Sequence, residues 1–226
     1  MTIAEMHIAL DNRVDKLATA SYPDLLPEQK DLELNEAILI FAKLKYGRNN
    51  VYRQGFQEIQ KRTDDLNTLV KNIYLIPTVV TLDPKVYKVN IQGTLADGNE
   101  YMFYLRGNMQ VSSEKCAAKY VGAKLVQIDD LDSVLSDPFN KPTINEPVIS
   151  FEDGGIYIYA DSTFNVNNFK LTYLKIPRKV SIFDNVNSDL PPQTHDEIIS
   201  IAAERIIERI ESPRLQTTVQ QNNKIE

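Results

Sequence analysis

The stretch VISFEDGGIYIYAD, residues 148–161, decides the fold. Two runs of apolar and β-prone residues flank Asp153-Gly154-Gly155, the composition of a tight reversal between strands that then pair antiparallel. Reading outward, the same two-residue period recurs in IYLIPTVV (73–80), KVYKVNIQG (85–93), EYMFYLRG (100–107), GAKLVQID (122–129) and FKLTYLKI (169–176). Pro, Gly, Asn and Asp separate these pieces, so each is strand-length. Ile176-Pro177 closes the last one. Proline has no N–H to offer a neighbouring strand, which predicts a sheet edge or an exit from the sheet there, flanked by Lys170, Lys175, Arg178 and Lys179.

Before residue 73 the period is that of helices. Thr2 and Glu5 form a capping box, followed by an apolar stripe of Ile3, Met6, Leu10, Val14 and Leu17. Pro27 suits the first turn of a second helix with Leu34, Ile38, Phe41 and Leu44 inward, which Gly47 can end. A third helix is predicted from about Gln54 to Val70. Phe56, Ile59, Leu66 and Leu69 face inward in it, and Glu58, Lys61, Arg62, Asp64 and Asp65 form a charged outer face. A closing helix should start at Thr194 with Glu197 completing a second capping box. Its isoleucines at 198, 199, 201, 206, 207 and 210 are too many for one stripe, so more than one side should be covered.

The fold class expected is α+β: an N-terminal three-helix region, an antiparallel β-sheet region, a closing C-terminal helix and an extended polar tail. The boundaries drawn are 1–72 for the helices and 73–193 for the sheet region. The closing helix, 194–211, is packed on the same core, and the tail is 212–226. Within the sheet region, 128–147 reads as a one-turn helix capped by Asp129 or Asp130, then a loop punctuated by Pro138, Pro142 and Pro147. Loops of that length in compact domains are usually functional or docked. Phe139 gives this one an apolar anchor, which either inserts into a neighbouring subunit or packs on its own sheet.

Composition narrows the function classes. The 226 residues are 42% hydrophobic and 25% charged, ordinary for a globular protein with a real core. With 25 basic against 31 acidic residues, the net charge of −6 argues against a protein that grips nucleic acid by neutralising phosphates. No apolar run approaches a membrane span, and the opening MTIAEMHIALDNRVDKL is unlike a signal peptide, so a chain made and kept in a cytoplasm is expected. The single Cys116 excludes an internal disulfide and a thiolate zinc cage.

No catalytic, cofactor-binding or metal-binding set emerges. The phosphate-cradling and dinucleotide glycine motifs and the nucleophile elbow are missing. His7 and His195 read as solvent-facing residues in the first turns of separate helices. Asp129, Asp130, Asp132 and Asp137 are dense enough to raise the question of a cation, but the glycine and the final glutamate of a calcium loop are absent. Helix capping and solvation are the plainer roles. Not an enzyme is the expectation.

The order of motifs resembles a known family. MTIAEMHIALDNRVDKLATASYPDLLPEQKDLELNEAILIFAKLKYG and GFQEIQKRTDDLNTLV look like the opening of the ring-type structural proteins of crAss-like bacteriophages. VQIDDLDSVLSDPFNKPTINEP, GGIYIY, LTYLKIP and LPPQTHDEIISIAAERIIERIES are similar to the rest, so the resemblance covers nearly the whole chain. It implies a head-to-tail connector subunit of the virion, stacked in rings, commonly twelvefold, around the channel through which DNA leaves. Partners would be further copies of itself, the portal protein or adjacent ring and tail hub proteins. Packaged DNA would pass without specific binding through a neutral to acidic channel, and no membrane is involved.

Inter-subunit contacts would then fall on Phe139 and Pro138, on an edge strand ending at Pro177, and on Leu215, Val219 and Ile225 of the tail, which is expected to cross to a neighbour. The alternatives are a tail adaptor or hub, a phage-encoded regulator, or a tail-carried hydrolase. A regulator should show a basic face or a helix-turn-helix, and a hydrolase paired acids or a zinc triad.

Overall fold

A computed structural model describes residues 1–14, 25–47, 59–80, 83–113, 116–161 and 164–209. In chain order its helices begin with α1 (Ile3–Val14), α2 (Pro27–Tyr46) and α3 (Gln60–Leu66). Six strands follow: β1 (Val70–Leu75), β2 (Thr78–Val80), β3 (Asp83–Asn90), β4 (Tyr101–Ser113), β5 (Cys116–Gly122) and β6 (Lys124–Leu125). Then come α4 (Leu131–Ser136), β7 (Val148–Glu152), β8 (Gly155–Tyr159), β9 (Asn165–Lys175) and α5 (His195–Arg209). The fold is α+β. Two compact units divide it: residues 1–69 with 177–226, and residues 70–176.

The helical unit is built on the expected stripes. The Thr2 and Glu5 box is formed, with the Thr2 N–H donating to the Glu5 carboxylate (2.8 Å) and the Glu5 N–H to the Thr2 hydroxyl (3.3 Å). Ile3, Met6, Leu10 and Val14 of α1 and Leu34, Ala37, Ile38 and Phe41 of α2 are buried. Both helices pack on α5, whose Ile198, Ile199, Ile206 and Ile207 are buried, which is why that helix needs apolar residues on two sides. Gly47 ends α2, its N–H bonded to the Lys43 carbonyl.

Several sequence expectations are corrected in this unit. Residues 177–193 run with the helices rather than with the sheets. They are held by Asn35, whose side chain donates to the Val180 carbonyl (3.0 Å) and accepts from the Val180 N–H (2.7 Å). Asn35→Ala removes both partners from a buried residue and should cost about 1–3 kcal/mol. The measurement is hydrogen exchange, with protection expected to fall first at Val180. The charged outer face of the third helix is not all outer either, since Arg62 and Asp65 are buried and Gln193 donates to Asp65 (2.9 Å). That helix gives way to a 3-10 turn at Asn67–Leu69, and the strand starts at Val70.

The second capping box does not form. The Thr194 hydroxyl donates to the Pro191 carbonyl (2.8 Å), and Glu197 is taken by Lys45 (2.8 Å) and Lys61 (2.9 Å). The two histidines are buried rather than solvent-facing. His7 Nε2 lies 2.8 Å from Asp31, and His195 Nε2 lies 3.1 Å from the Leu190 carbonyl. Burial holds the His195 imidazole below its usual range, with the Leu190 bond opposing.

The β unit consists of two sheets, β1-β9-β4-β5 and β2-β3-β8-β7-β6, all antiparallel except for the short parallel pair β6 and β7. Asp153 and Gly154 both take positive φ (41° and 63°) between the paired Glu152 and Gly155, the left-handed two-residue hairpin that favours glycine. One apolar cluster draws on both sheets, including Tyr87, Val89, Ile149, Ile156 and Ile158 from one and Met109, Val111, Phe169, Leu171 and Tyr173 from the other.

β9 is a central strand, not an edge, so the edge expected at Pro177 is overturned. The proline comes two residues after the strand ends, where the chain leaves the sheet and no ladder hydrogen bond is required of it. Tyr173 is buried and its hydroxyl donates to Asp97 (2.8 Å), pinning the turn that carries Asp97 to β9. Burial first, and the Asp97 carboxylate second, push the phenol far above its usual range.

Candidate interaction surface

The loop after α4 is positioned by a small apolar cluster. Val126, Leu131 and Val148 are buried together, with Val134, Leu135 and Tyr159 packed against them. This fixes α4 at the end of the β7–β8 pair where Val148 faces Tyr159. Asp130, at the N-terminal end of α4, makes no side-chain cap bond, in contrast to the capping expected.

Asp137 organises the turn that follows. Its N–H closes α4 on the Ser133 carbonyl (3.2 Å), and its carboxylate accepts from the Phe139 N–H (3.0 Å) and the Asn140 side chain (2.5 Å). The Lys141 N–H returns to the Asp137 carbonyl (3.0 Å). This is an Asx-type turn closed from both sides. The Phe139 and Asn140 donors hold the Asp137 carboxyl below the usual carboxylate range. Further on, Thr143 and Glu146 bond each other's backbones, and the Lys119 ammonium of β5 reaches Asn145. On this bonded frame Pro138 is exposed and the Phe139 ring is 94% exposed, packed on neither sheet of its own chain.

The other candidates separate. Pro177 is buried, and Leu215, Val219 and Ile225 lie outside the described residues. The four cations around Pro177 form no common group. Lys170 sits over the Tyr74 ring (5.6 Å), Lys175 is buried, Arg178 lies 3.9 Å from Asp189, and Lys179 is exposed. Asp129, Asp130 and Asp132 are exposed. Among the described residues no three His, Cys, Asp or Glu side chains gather as a metal centre needs. No described helix is long and apolar enough to cross a membrane.

Sequence reasoning missed a recess of about 440 Å³ in the β unit, lined by Ile91, Gln92, Gly93, Glu100, Tyr101, Gly154 and Ile176. It assembles from the end of β3, the start of β4, the β7–β8 turn and the end of β9, which are separated in sequence by up to 85 positions (Ile91 to Ile176). Only the glycines hinted at it.

A scan against protein-family models finds no match to this chain, and a search of curated proteins finds none.

Proposed function

We propose that the chain is a structural subunit of a phage head-to-tail connector, forming a ring around the DNA exit channel. The observation that carries this reading is Phe139, an aromatic ring 94% exposed at the tip of a turn hydrogen-bonded on both sides. A side chain of that size gains about 1.5–3 kcal/mol when buried, and no described residue of its own chain supplies that burial, which a partner would. The motif order resembling the crAss-like ring proteins supports the same reading. In this role the partners are further copies in a twelvefold ring and the portal protein or neighbouring ring and hub proteins. The net charge of −6 suits a channel surface from which DNA phosphates are repelled. Synthesis occurs in the host cytoplasm and the final location is the virion neck.

The test is a mass-spectrometric inventory of purified virions together with a cryo-EM map of the neck. The protein is expected in the particles at a copy number matching one ring. Its absence from virions defeats the proposal.

A further inference from the structure

We infer that Phe139 of one copy seats in the Ile91–Tyr101–Ile176 recess of the next, a head-to-tail contact that repeats around the assembly. This deepens the connector reading and rests on it for the closing of the ring.

Knob and recess belong to the same compact unit and lie at opposite ends of the same strands. The loop bearing Phe139 is anchored where Val148 faces Tyr159, and the recess lies at the Asp153-Gly154 turn, where the Ile91 N–H bonds the Gly154 carbonyl (3.4 Å). Five-residue strands separate the two ends by roughly 15 Å. A contact using different surfaces at opposite ends of one body is heterologous, and it propagates into a ring if its rotation closes or a filament if it does not.

Size and chemistry agree. A cavity of about 150 Å³ can hold a benzene ring, so a recess of about 440 Å³ admits the Phe139 ring with space for Pro138 beside it. Ile91, Tyr101 and Ile176 offer apolar wall, and a side chain at Gly93 would meet nothing within 4 Å, so that rim stands open. The flanks complement each other in charge. Lys141, two positions beyond Phe139, is exposed with its ammonium 4.0 Å from Asp161 of its own chain, a long contact that leaves it able to turn outward, and Glu100 is exposed at the recess.

Another recess of the β unit, about 210 Å³, has Lys141 and Pro142 of the loop itself in its lining. It therefore lies at the Phe139 end and cannot receive Phe139 from a copy stacked end to end.

The experiment uses the full-length chain, analytical ultracentrifugation, and two variants that each remove one half of the contact. Phe139→Ala deletes the knob, and Ile176→Glu places a charge in the recess at a residue 37% exposed. Each variant alone should associate roughly ten- to hundredfold more weakly than wild type. Mixed in equal amounts, the two should form one-to-one dimers and nothing larger, because a single intact knob meets a single intact recess. Circular dichroism checks the fold. If Ile176→Glu unfolds, Gln92→Trp, filling the recess from an exposed position, replaces it.

A wild-type chain monomeric at its highest soluble concentration overturns the inference. So does a recess variant that associates like wild type, the outcome expected if Phe139 packs on Phe139 of a two-fold partner. Complementary dimers from a protein that virions lack would leave the contact standing and remove the connector reading.

Discussion

Glu197→Gln should destabilise the helical unit by about 3–5 kcal/mol, the usual cost of breaking a buried ion pair from one side. The Lys45 side chain is only 5% exposed, with its ammonium 2.8 Å from Glu197 and 5.2 Å from the centre of the Phe41 ring. Removing the carboxylate charge leaves that ammonium buried, among the described residues, with a neutral amide oxygen and the ring's weak attraction in place of its counter-ion. Urea unfolding followed by hydrogen exchange in α2 and α5 reads the effect where it occurs. The loss is large against the roughly 5–15 kcal/mol that holds a domain folded. Replacing both partners, Lys45→Met with Glu197→Leu, should recover most of it, since an apolar pair of similar volume often does as well as the ions.

The pH dependence has a definite sign. Burial pushes the Glu197 carboxyl up, but the hydrogen bonds and charges of Lys45 and Lys61 outweigh it and hold the group below its usual range. A carboxyl with a lower pKa in the folded chain stabilises at pH above its unfolded value, about 4.3. That contribution disappears as pH falls through the folded value. Glu197→Gln should therefore flatten the acid limb of the stability curve below about pH 4. A variant within 0.5 kcal/mol of wild type (roughly the noise for a surface change) would show that the pair contributes nothing.

The second large effect is expected in the β unit. A Cβ on Gly107, in the middle of β4, would lie 2.8 Å from the fully buried Phe169 ring and 2.9 Å from the Tyr104 hydroxyl. Phe169→Ala should cost about 3–5 kcal/mol for the lost burial and the cavity. Gly107→Ala should cost about 1–3 kcal/mol for overpacking. Together they should cost less than their sum, because the added methyl enters the space the ring vacates. Additive losses in urea melts would show that the ring does not rest on Gly107.

Gly107 also marks a place where the sequence misleads. It reads as the end of a strand, yet β4 continues to Ser113, because this glycine clears space for an aromatic ring rather than turning the chain. What the sequence makes legible is local: the strand periods, the Asp153-Gly154 hairpin and the Thr2 and Glu5 cap each depend on residues a few positions apart. What it hides is pairing across long separations. Arg62 and Asp65 read as solvent-facing because charged residues usually are, and β9 reads as an edge because strand order is not written in any one strand. Of the proposed contact, the knob was legible, since Phe139 stands alone among polar residues and prolines. The recess was not, as it exists only once four distant segments meet.

The division of the chain at Leu69/Val70 and Ile176/Pro177 bears on synthesis. The β unit is one uninterrupted segment, whereas the helical unit is split around it. A ribosome adding about 5–20 residues per second spends roughly 6–25 seconds between releasing Leu69 and beginning α5. During that interval the apolar faces of α1 and α2 await the helix that covers them, while the sheets can already close. Vectorial folding should thus run from the middle outward. Nascent chains arrested once Lys175 has cleared the ribosomal exit tunnel, with α5 still inside it, should show protease-resistant sheets beside a helical segment still open to chaperones.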